Sequence, residues 1–251
     1  MNTLTLDIGN HRVKADIWDD EGHLFRRVMD EVSVDEIMSV CQRLEVAGII
    51  YSSVRKGDKD LMEELKKAFP KTPVVNFDHE EITNFYEGVF HYSGNLGPDR
   101  AAAFLGAEDL SKGCNKLIID AGTAITFDLV DCDRNFRGGN ISLGYYGRLE
   151  ALAHSTSLLP EVKKFDTDEK FGRDTVSAIL SGAKNGVVGE VIYNVSLASD
   201  IMDLYMVVVT GADAPIFLEE LKMHARECIY DEYLVGRGLN YHLRFRLDGE
   251  F

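Results

Sequence analysis

Proline is scarce in this chain, with 5 residues in 251, and no segment is proline-rich or of low complexity. Domain boundaries therefore have to be read from hydrophobic pattern rather than from linker composition. Cysteine is equally thin: Cys41, Cys114, Cys132 and Cys228 are the whole set, and none forms a C-x-x-C pair. That excludes a zinc ribbon and a disulfide framework, and leaves free thiols suited to a reducing cytoplasm. No apolar run approaches the roughly 18 residues of a membrane span. Met1-Asn2-Thr3 run directly into strand-like residues, so no secretory leader is expected. Basic charge is also short, with 27 Lys and Arg against 42 Asp and Glu and a formal charge of −15. So acidic a surface disfavours non-specific binding to nucleic acid or anionic membranes. G-x-x-x-x-G-K-[ST] does not occur, which sets aside the P-loop way of holding a triphosphate.

What remains is globular in composition, 45% hydrophobic and 27% charged, at a length that fits one large or two small domains. Residues 3–8 (TLTLDI) alternate and predict a strand that ends at Asp7-Ile8-Gly9-Asn10. Val13, Ala15 and Ile17 mark a second strand, and a return strand begins at Leu24 after the turn at 19–22. The second half opens the same way. A strand at 116–119 ends at Asp120-Ala121-Gly122-Thr123, another follows at 125–130, and a third returns over 136–141. Strand, D-x-G turn, strand, turn, strand thus occurs twice, at a period too long for a solenoid. Helical periodicity falls at 33–44, 61–69, 146–158, 175–188, 190–202 and 215–224, with further strands at 48–51, 73–77 and 204–209. Such alternation predicts α/β layers, arranged as two halves, 1–115 and 116–251.

The D-x-G turns suit phosphate. Glycine permits close approach of the backbone. The turn's N–H groups and the side chain of Asn10 or Thr123 can donate to phosphate oxygens. Asp7 or Asp120 offers a hard oxygen for a cation bound with them. One such turn is equally an ordinary hairpin, since Asp and Gly dominate turns for local reasons; two at matched places favour the phosphate reading. Thr210-Gly211-Ala212-Asp213 follows the most apolar strand of the second half. Its small residues would let a ring or ribose pack closely, and it also has the form of a plain helix start. In Gly97-Pro98-Asp99-Arg100, Asp99 can take a proton from a hydroxyl and Arg100 can hold an anionic or polar group. As a bare helix start, Asp99 would be a capping residue.

The three turns together resemble the phosphate and adenosine motifs of the actin, hexokinase and Hsp70 superfamily. That fold is a duplicated ribonuclease-H-like domain with ATP in the cleft between the halves. More narrowly, six motifs occur in the order of the type III pantothenate kinases, bacterial enzymes that open coenzyme A synthesis. They are DIGN (7–10), GPDR (97–100), DAGTAIT (120–126), GGNISLG (138–144) with ALAHSTSLLP (151–160), GRDT (172–175) and TGADA (210–214). They cover nearly the whole chain. The resemblance implies an α/β actin-like fold and ATP-dependent phosphorylation of pantothenate. Asp7, Ile8, Gly9 and Asn10, continued by His11, Arg12, Val13 and Lys14, then correspond to the first ATP-phosphate loop, and Thr123 to a further ATP contact. Asp99 corresponds to the base that activates the pantothenate hydroxyl. Gly97, Pro98, Arg100 and Thr175 correspond to the rest of the pantothenate pocket, with Tyr92 as its tyrosine and Tyr86 the other candidate. Asp120 corresponds to the ligand of a monovalent cation, K+ or NH4+, used beside Mg2+. The resemblance also implies a cytoplasmic homodimer in which the partner subunit completes the pocket.

The chain departs from the family pattern in places. His11 stands where the first loop usually has Thr or Ser, which removes a hydroxyl donor. Tyr92 lacks the usual following proline, and the stretch to Gly97 is short. Leu143 takes the proline position of I-x-P-G, and Ala212 replaces the second glycine of T-G-G. Two alternatives stand beside the kinase reading. One is a kinase for another small hydroxylated metabolite, differing around Tyr92–Arg100 and Thr175. The other is a non-catalytic, nucleotide-binding regulatory protein of the same fold.

Overall fold

A computed structural model describes residues 1–41, 44–55, 60–86, 96–162 and 169–249. The chain divides into two units, Met1–Lys112 with Tyr233–Phe251, and Gly113–Glu232. The first unit begins with β1 (Asn2–Ile8), β2 (Val13–Trp18), β3 (His23–Met29), α1 (Val34–Cys41), β4 (Val46–Ser53), α2 (Leu61–Ala68), β5 (Val74–Asn76), α3 (His79–Phe85) and α4 (Pro98–Leu110). The second holds β6 (Lys116–Ala121), β7 (Ala124–Val130), β8 (Phe136–Leu143), α5 (Tyr145–Ser155), α6 (Thr175–Ile201), β9 (Met206–Thr210), α7 (Leu218–Lys222) and β10 (Glu227–Tyr230). The last helix, α8 (Leu234–Asp248), belongs to the first unit.

The first sheet runs β3-β2-β1-β4-β5 and the second β8-β7-β6-β9-β10. In each, three strands form antiparallel hairpins and two more add in parallel. The two orders match strand for strand, so the repeat seen in sequence is a repeat of architecture, the actin-like duplication of a ribonuclease-H-like unit. The registers match as well. Asp7 lies between Lys14 of β2 and Ser52 of β4, and Asp120 lies between Thr126 of β7 and Thr210 of β9. Both carboxylates thus stand one residue before a central strand ends, where α/β sheets present their ligand-binding loops.

Each unit has its own core. Leu4, Leu6, Val13, Ala15 and Ile17 are fully buried in the first. In the second, Ile119, Ile125, Val187, Val191 and Val209 are fully buried. The expected second half, 116–251, ends too late, because residues from Tyr233 onward return to the first unit. Small residues explain the return. A Cβ on Gly238 would fall 1.8 Å from the Ala102 carbonyl oxygen, and one on Gly106 would fall 2.2 Å from that of Leu234. Only glycine at both positions lets α8 and α4 meet backbone to backbone. Two helices expected at 175–188 and 190–202 are one, α6. Its apolar positions Leu180, Ala183, Val187, Val191, Val195 and Ala198 keep one buried stripe across the glycines. The helix expected at 215–224 is a 3-10 turn, Ala214–Ile216, followed by the short α7.

Candidate active site

The first loop leaves β1 at Ile8. Gly9 N–H donates to the Arg12 carbonyl at 3.0 Å and closes the turn, which leaves Asn10, His11 and Arg12 exposed and Val13 buried. Lys14 sits opposite Asp7 in the hairpin, and its Nζ donates to Asp7 Oδ2 at 3.1 Å. Asp99 stands within the field of the same carboxylate. It lies in the first turn of α4, which Gly97 caps and Pro98 opens. Its Oδ1 accepts the Arg100 N–H at 2.9 Å, and a Cβ on Gly97 would come 2.6 Å from that oxygen. The carboxylate therefore folds back over Gly97, where a side chain would have to displace it. Asp99 is not the capping residue of the helix. Burial raises its pKa above the usual carboxylate value, and the negative charge of Asp7 raises it further against the opposing Arg100 interactions. Arg100 is 7% exposed. A carboxylate of raised proton affinity at a helix N-terminus is a competent acceptor for a hydroxyl proton.

The second loop closes through Gly122 N–H, which donates to the Ala124 carbonyl at 2.9 Å. Thr123 is exposed at its tip. Neighbouring backbone braces it from two sides. Gly144 N–H donates to the Thr123 carbonyl at 3.0 Å, and a Cβ there would fall 1.8 Å from the Gly122 oxygen. Asp213 N–H donates to the Ala121 carbonyl at 2.9 Å. Gly211 has φ +95° and approaches Ala121 so closely that a Cβ would lie 2.1 Å from its oxygen. Both features demand glycine. The Asp213 carboxylate accepts the Tyr145 N–H at the start of α5, while its Oδ2 is buried without a partner. Burial pushes that carboxyl up to about 6.

The two turn glycines themselves differ from Gly144 and Gly211. Neither Gly9 nor Gly122 has a positive φ. A Cβ on Gly122 would meet nothing within 4 Å, and one on Gly9 would make only an ordinary contact at 3.4 Å. Nothing in either unit requires glycine there. At Gly122 that position is open space among the described residues, and at Gly9 it borders the Arg12 carbonyl.

Asp7, Lys14, Asp99 and Arg100 are thus gathered within the first unit. In the second unit Asp120 and Thr123 share a loop with the 210–213 turn packed on it. Thr175 is exposed and opens α6 behind Asp174, whose Oδ1 accepts the Ser177 N–H at 2.9 Å. Tyr92 lies outside the described residues. Tyr86, the alternative, is committed to the interior: its hydroxyl pairs with His242 Nδ1 at 2.9 Å, and burial pushes it far above the usual phenol value. His242 Nε2 in turn meets Glu81 at 2.7 Å. Arg55 lies outside every motif, while Gly144 and Asp213 lie within motifs that gave them no bracing role. Arg55 Nε donates to the Gly9 carbonyl at 2.7 Å, and its signal in sequence was the strand β4, which runs parallel beside β1 up to Ile8 and Ser53.

The donor set fits a metal-bound triphosphate. Asp7 and Asp99 are close enough for one charge to raise the other's pKa, a strain that a cation relieves. Among the described residues no three His, Cys, Asp or Glu side chains gather to cage a metal. A cation here would use one carboxylate with phosphate, water and backbone oxygens, as Mg2+ does when bound with nucleotides.

Duplicated ribonuclease-H-like units, each carrying a D-x-G loop on its central strand, define the actin-like ATPase fold. A sequence profile of type III pantothenate kinase matches residues 3–196. The type III pantothenate kinase of Bacteroides fragilis is 32% identical over 245 residues, covering 96% of this chain and 97% of that protein. The chain belongs to the type III pantothenate kinase family. Among solved structures, a conserved Baf family transcriptional activator from Campylobacter jejuni is 22% identical, with a TM-score of 0.59, and covers 98% of this chain and 99% of that one. A 2-dehydro-3-deoxygalactonokinase from Sinorhizobium meliloti is 13% identical, with a TM-score of 0.60 and 99% and 100% coverage. At those identities the two structures show the fold alone.

Proposed function

We propose that this protein transfers the γ-phosphoryl group of ATP to the hydroxyl of pantothenate, giving 4'-phosphopantothenate, the first step of coenzyme A biosynthesis. The observation that carries the acceptor half is Asp99, a half-buried carboxylate whose proton affinity is raised by burial and by the charge of Asp7, itself paired with Lys14. As the hydroxyl oxygen forms its bond to phosphorus and the bond to the ADP oxygen breaks, the hydroxyl proton passes to Asp99. Arg100 and Thr175 hold the acceptor, with Tyr92 as the aromatic contact. The exposed N–H groups of Asn10 to Arg12, with Lys14, hold the phosphates, and Thr123 adds a donor. Mg2+, when bound, supplies charge neutralisation of the triphosphate, for which Asp7 is the nearest hard oxygen. Phosphoryl transfer asks for positioning and charge more than covalent chemistry, and these residues supply both.

Asp120, at the place in the second sheet that Asp7 holds in the first, is assigned to a monovalent cation, K+ or NH4+. We also infer a cytoplasmic homodimer whose partner subunit completes the acceptor pocket. Free cysteines and a need for ATP suit that compartment, and no helix among the described residues is long and apolar enough to cross a membrane.

The test is ADP release from ATP and Mg2+, with and without pantothenate, in K+ and then in Na+ buffer. Pantothenate-dependent release that requires K+ is the expected result. Release with another hydroxylated acid alone would redirect the acceptor assignment. ATP binding without any acceptor-dependent release would point to the non-catalytic regulator.

A further inference from the structure

We propose that Arg55 is a positioning residue for the nucleotide, acting through the first phosphate loop. The inference rests on the nucleotide half of the reading above and is independent of the acceptor. It begins with the sheet. β4 runs parallel to β1 with Ser53 beside Ile8, and Val54 N–H extends that pairing by donating to the Ile8 carbonyl at 3.1 Å. The next residue, Arg55, arrives beside Gly9. Its own N–H donates to Ser53 Oγ at 3.1 Å. Its Nε donates to the Gly9 carbonyl at 2.7 Å, and its Nη2 to the Asp30 carbonyl just beyond β3 at 3.2 Å. One guanidinium thus ties the ends of three strands at the base of the loop.

The consequence lies in the peptide that follows Gly9. A trans peptide is planar, with C=O and N–H pointing in opposite directions. Fixing the Gly9 carbonyl on Arg55 therefore fixes the Asn10 N–H away from Arg55, on the exposed tip of the turn. Glycine at position 9 makes this necessary, because a glycine peptide rotates easily between orientations. Gly9 N–H is already held by the Arg12 carbonyl, so among the described residues Arg55 is the remaining constraint on which way the Asn10 donor faces. Charge adds to geometry. Both acceptors of Arg55 are neutral carbonyls, and no carboxylate neutralises it among the described residues. Beside a loop that carries Asp7, its positive charge favours an incoming polyanion. A lysine supplies the charge without the planar fork that spans two carbonyls.

The experiment compares wild type, Arg55→Ala and Arg55→Lys. It measures the Kd of Mg-ATP by calorimetry without pantothenate, KM and kcat for pantothenate-dependent ADP release, and the melting temperature. Arg55→Ala is expected to raise both the Kd and the KM for ATP by roughly ten- to a hundred-fold, with the KM for pantothenate unchanged and with binding partly restored by added guanidinium ion. Arg55→Lys should fall between the two, and it keeps the test alive if the alanine variant does not fold. A lower melting temperature with an unchanged Kd for ATP would make Arg55 a structural clamp and overturn the proposal. So would an Arg55→Lys variant that binds ATP as wild type does. Wild-type protein that binds ATP but ignores pantothenate would sink the acceptor assignment alone, and the Kd comparison would still decide Arg55. Wild-type protein that binds no ATP would overturn both.

Discussion

The two D-x-G loops occupy the same position in two sheets of the same order, yet they are held in different ways. Charged side chains surround the first: Lys14 on Asp7, Arg55 on the Gly9 carbonyl, and Asp99 under the influence of Asp7. Backbone and glycine brace the second, with Gly144 on Thr123 and Gly122, and Gly211 and Asp213 on Ala121. Duplication thus supplies the loop twice, and each copy has been finished for a different task. Electrostatics shape the first, where burial and the charge of Asp7 raise the proton affinity of Asp99. Sterics shape the second, which is built to hold a position. Substitutions in the groups that hold each loop should therefore separate the two: chemistry is lost at the first, folding at the second.

The largest effect is expected at Asp99. Asp99→Asn keeps the shape and removes the proton acceptor, so turnover should fall by roughly 10^2 to 10^4. Stability should not fall with it. The raised pKa of Asp99 means that its favourable contribution belongs to the protonated form and is lost as pH rises. The uncharged Asn never incurs that loss, so the variant should melt at or above the wild-type temperature at neutral pH. Single-turnover ADP release and a thermal scan check the pair, and normal turnover would remove Asp99 from the role of base. For active wild-type protein, the same shift places the acid limb of the pH–rate profile above the ordinary carboxylate range.

Gly144→Ala comes next and should do the reverse. A Cβ 1.8 Å from the Gly122 oxygen forces backbone to move, a cost of about 2–3 kcal/mol typical of overpacking. Urea unfolding measures it. The turn glycines sharpen the contrast. Gly9→Ala and Gly122→Ala meet no backbone clash, so stability should change by less than about 1 kcal/mol. Calorimetry with Mg-ATP should nevertheless show affinity falling by about ten-fold, roughly 1.4 kcal/mol, because the added methyl occupies the phosphate's side of the loop. Unchanged affinity in both variants would mean that phosphate does not lie against these turns.

Much of this was legible in the sequence because the informative signals were local. Alternating apolar residues ending in D-x-G mark the hairpins, and Pro98 after Gly97 marks the start of α4. What was missed depends on contacts between distant residues. The glycines and Asn240 of α8 weaken its helical signal, and the helix exists because Gly236 and Gly238 let it lie on β2 and α4. The break expected within α6 fell at Gly189, across which a buried stripe of leucine, alanine and valine continues. At the site, Asp7, Lys14, Asp99 and Arg100 could be named in advance. Arg55 could not, because its meaning comes from the register of β4 against β1 and not from its neighbours in the chain.

The smallest effect tests whether the second loop is as purely steric as the comparison makes it. Asp213, packed on that loop, is buried: one carboxylate oxygen caps the first turn of α5 through Tyr145, and the other has no partner. Burial raises its pKa from 3.8 to about 6. A raised acid stabilises the fold while it is protonated, so this contribution is present below the ordinary carboxylate value and is lost as pH rises through about 6. Asp213→Asn can still accept the Tyr145 N–H and carries no charge to bury. Its melting temperature should match wild type near pH 4 and exceed it at pH 7.5. Allowing for solvent screening, the gap should be on the order of 1 kcal/mol, or about 2–4 °C for a chain of this size. Parallel melting curves across the pH range would mean that the buried oxygen is solvated after all, and that the second loop is held by shape alone.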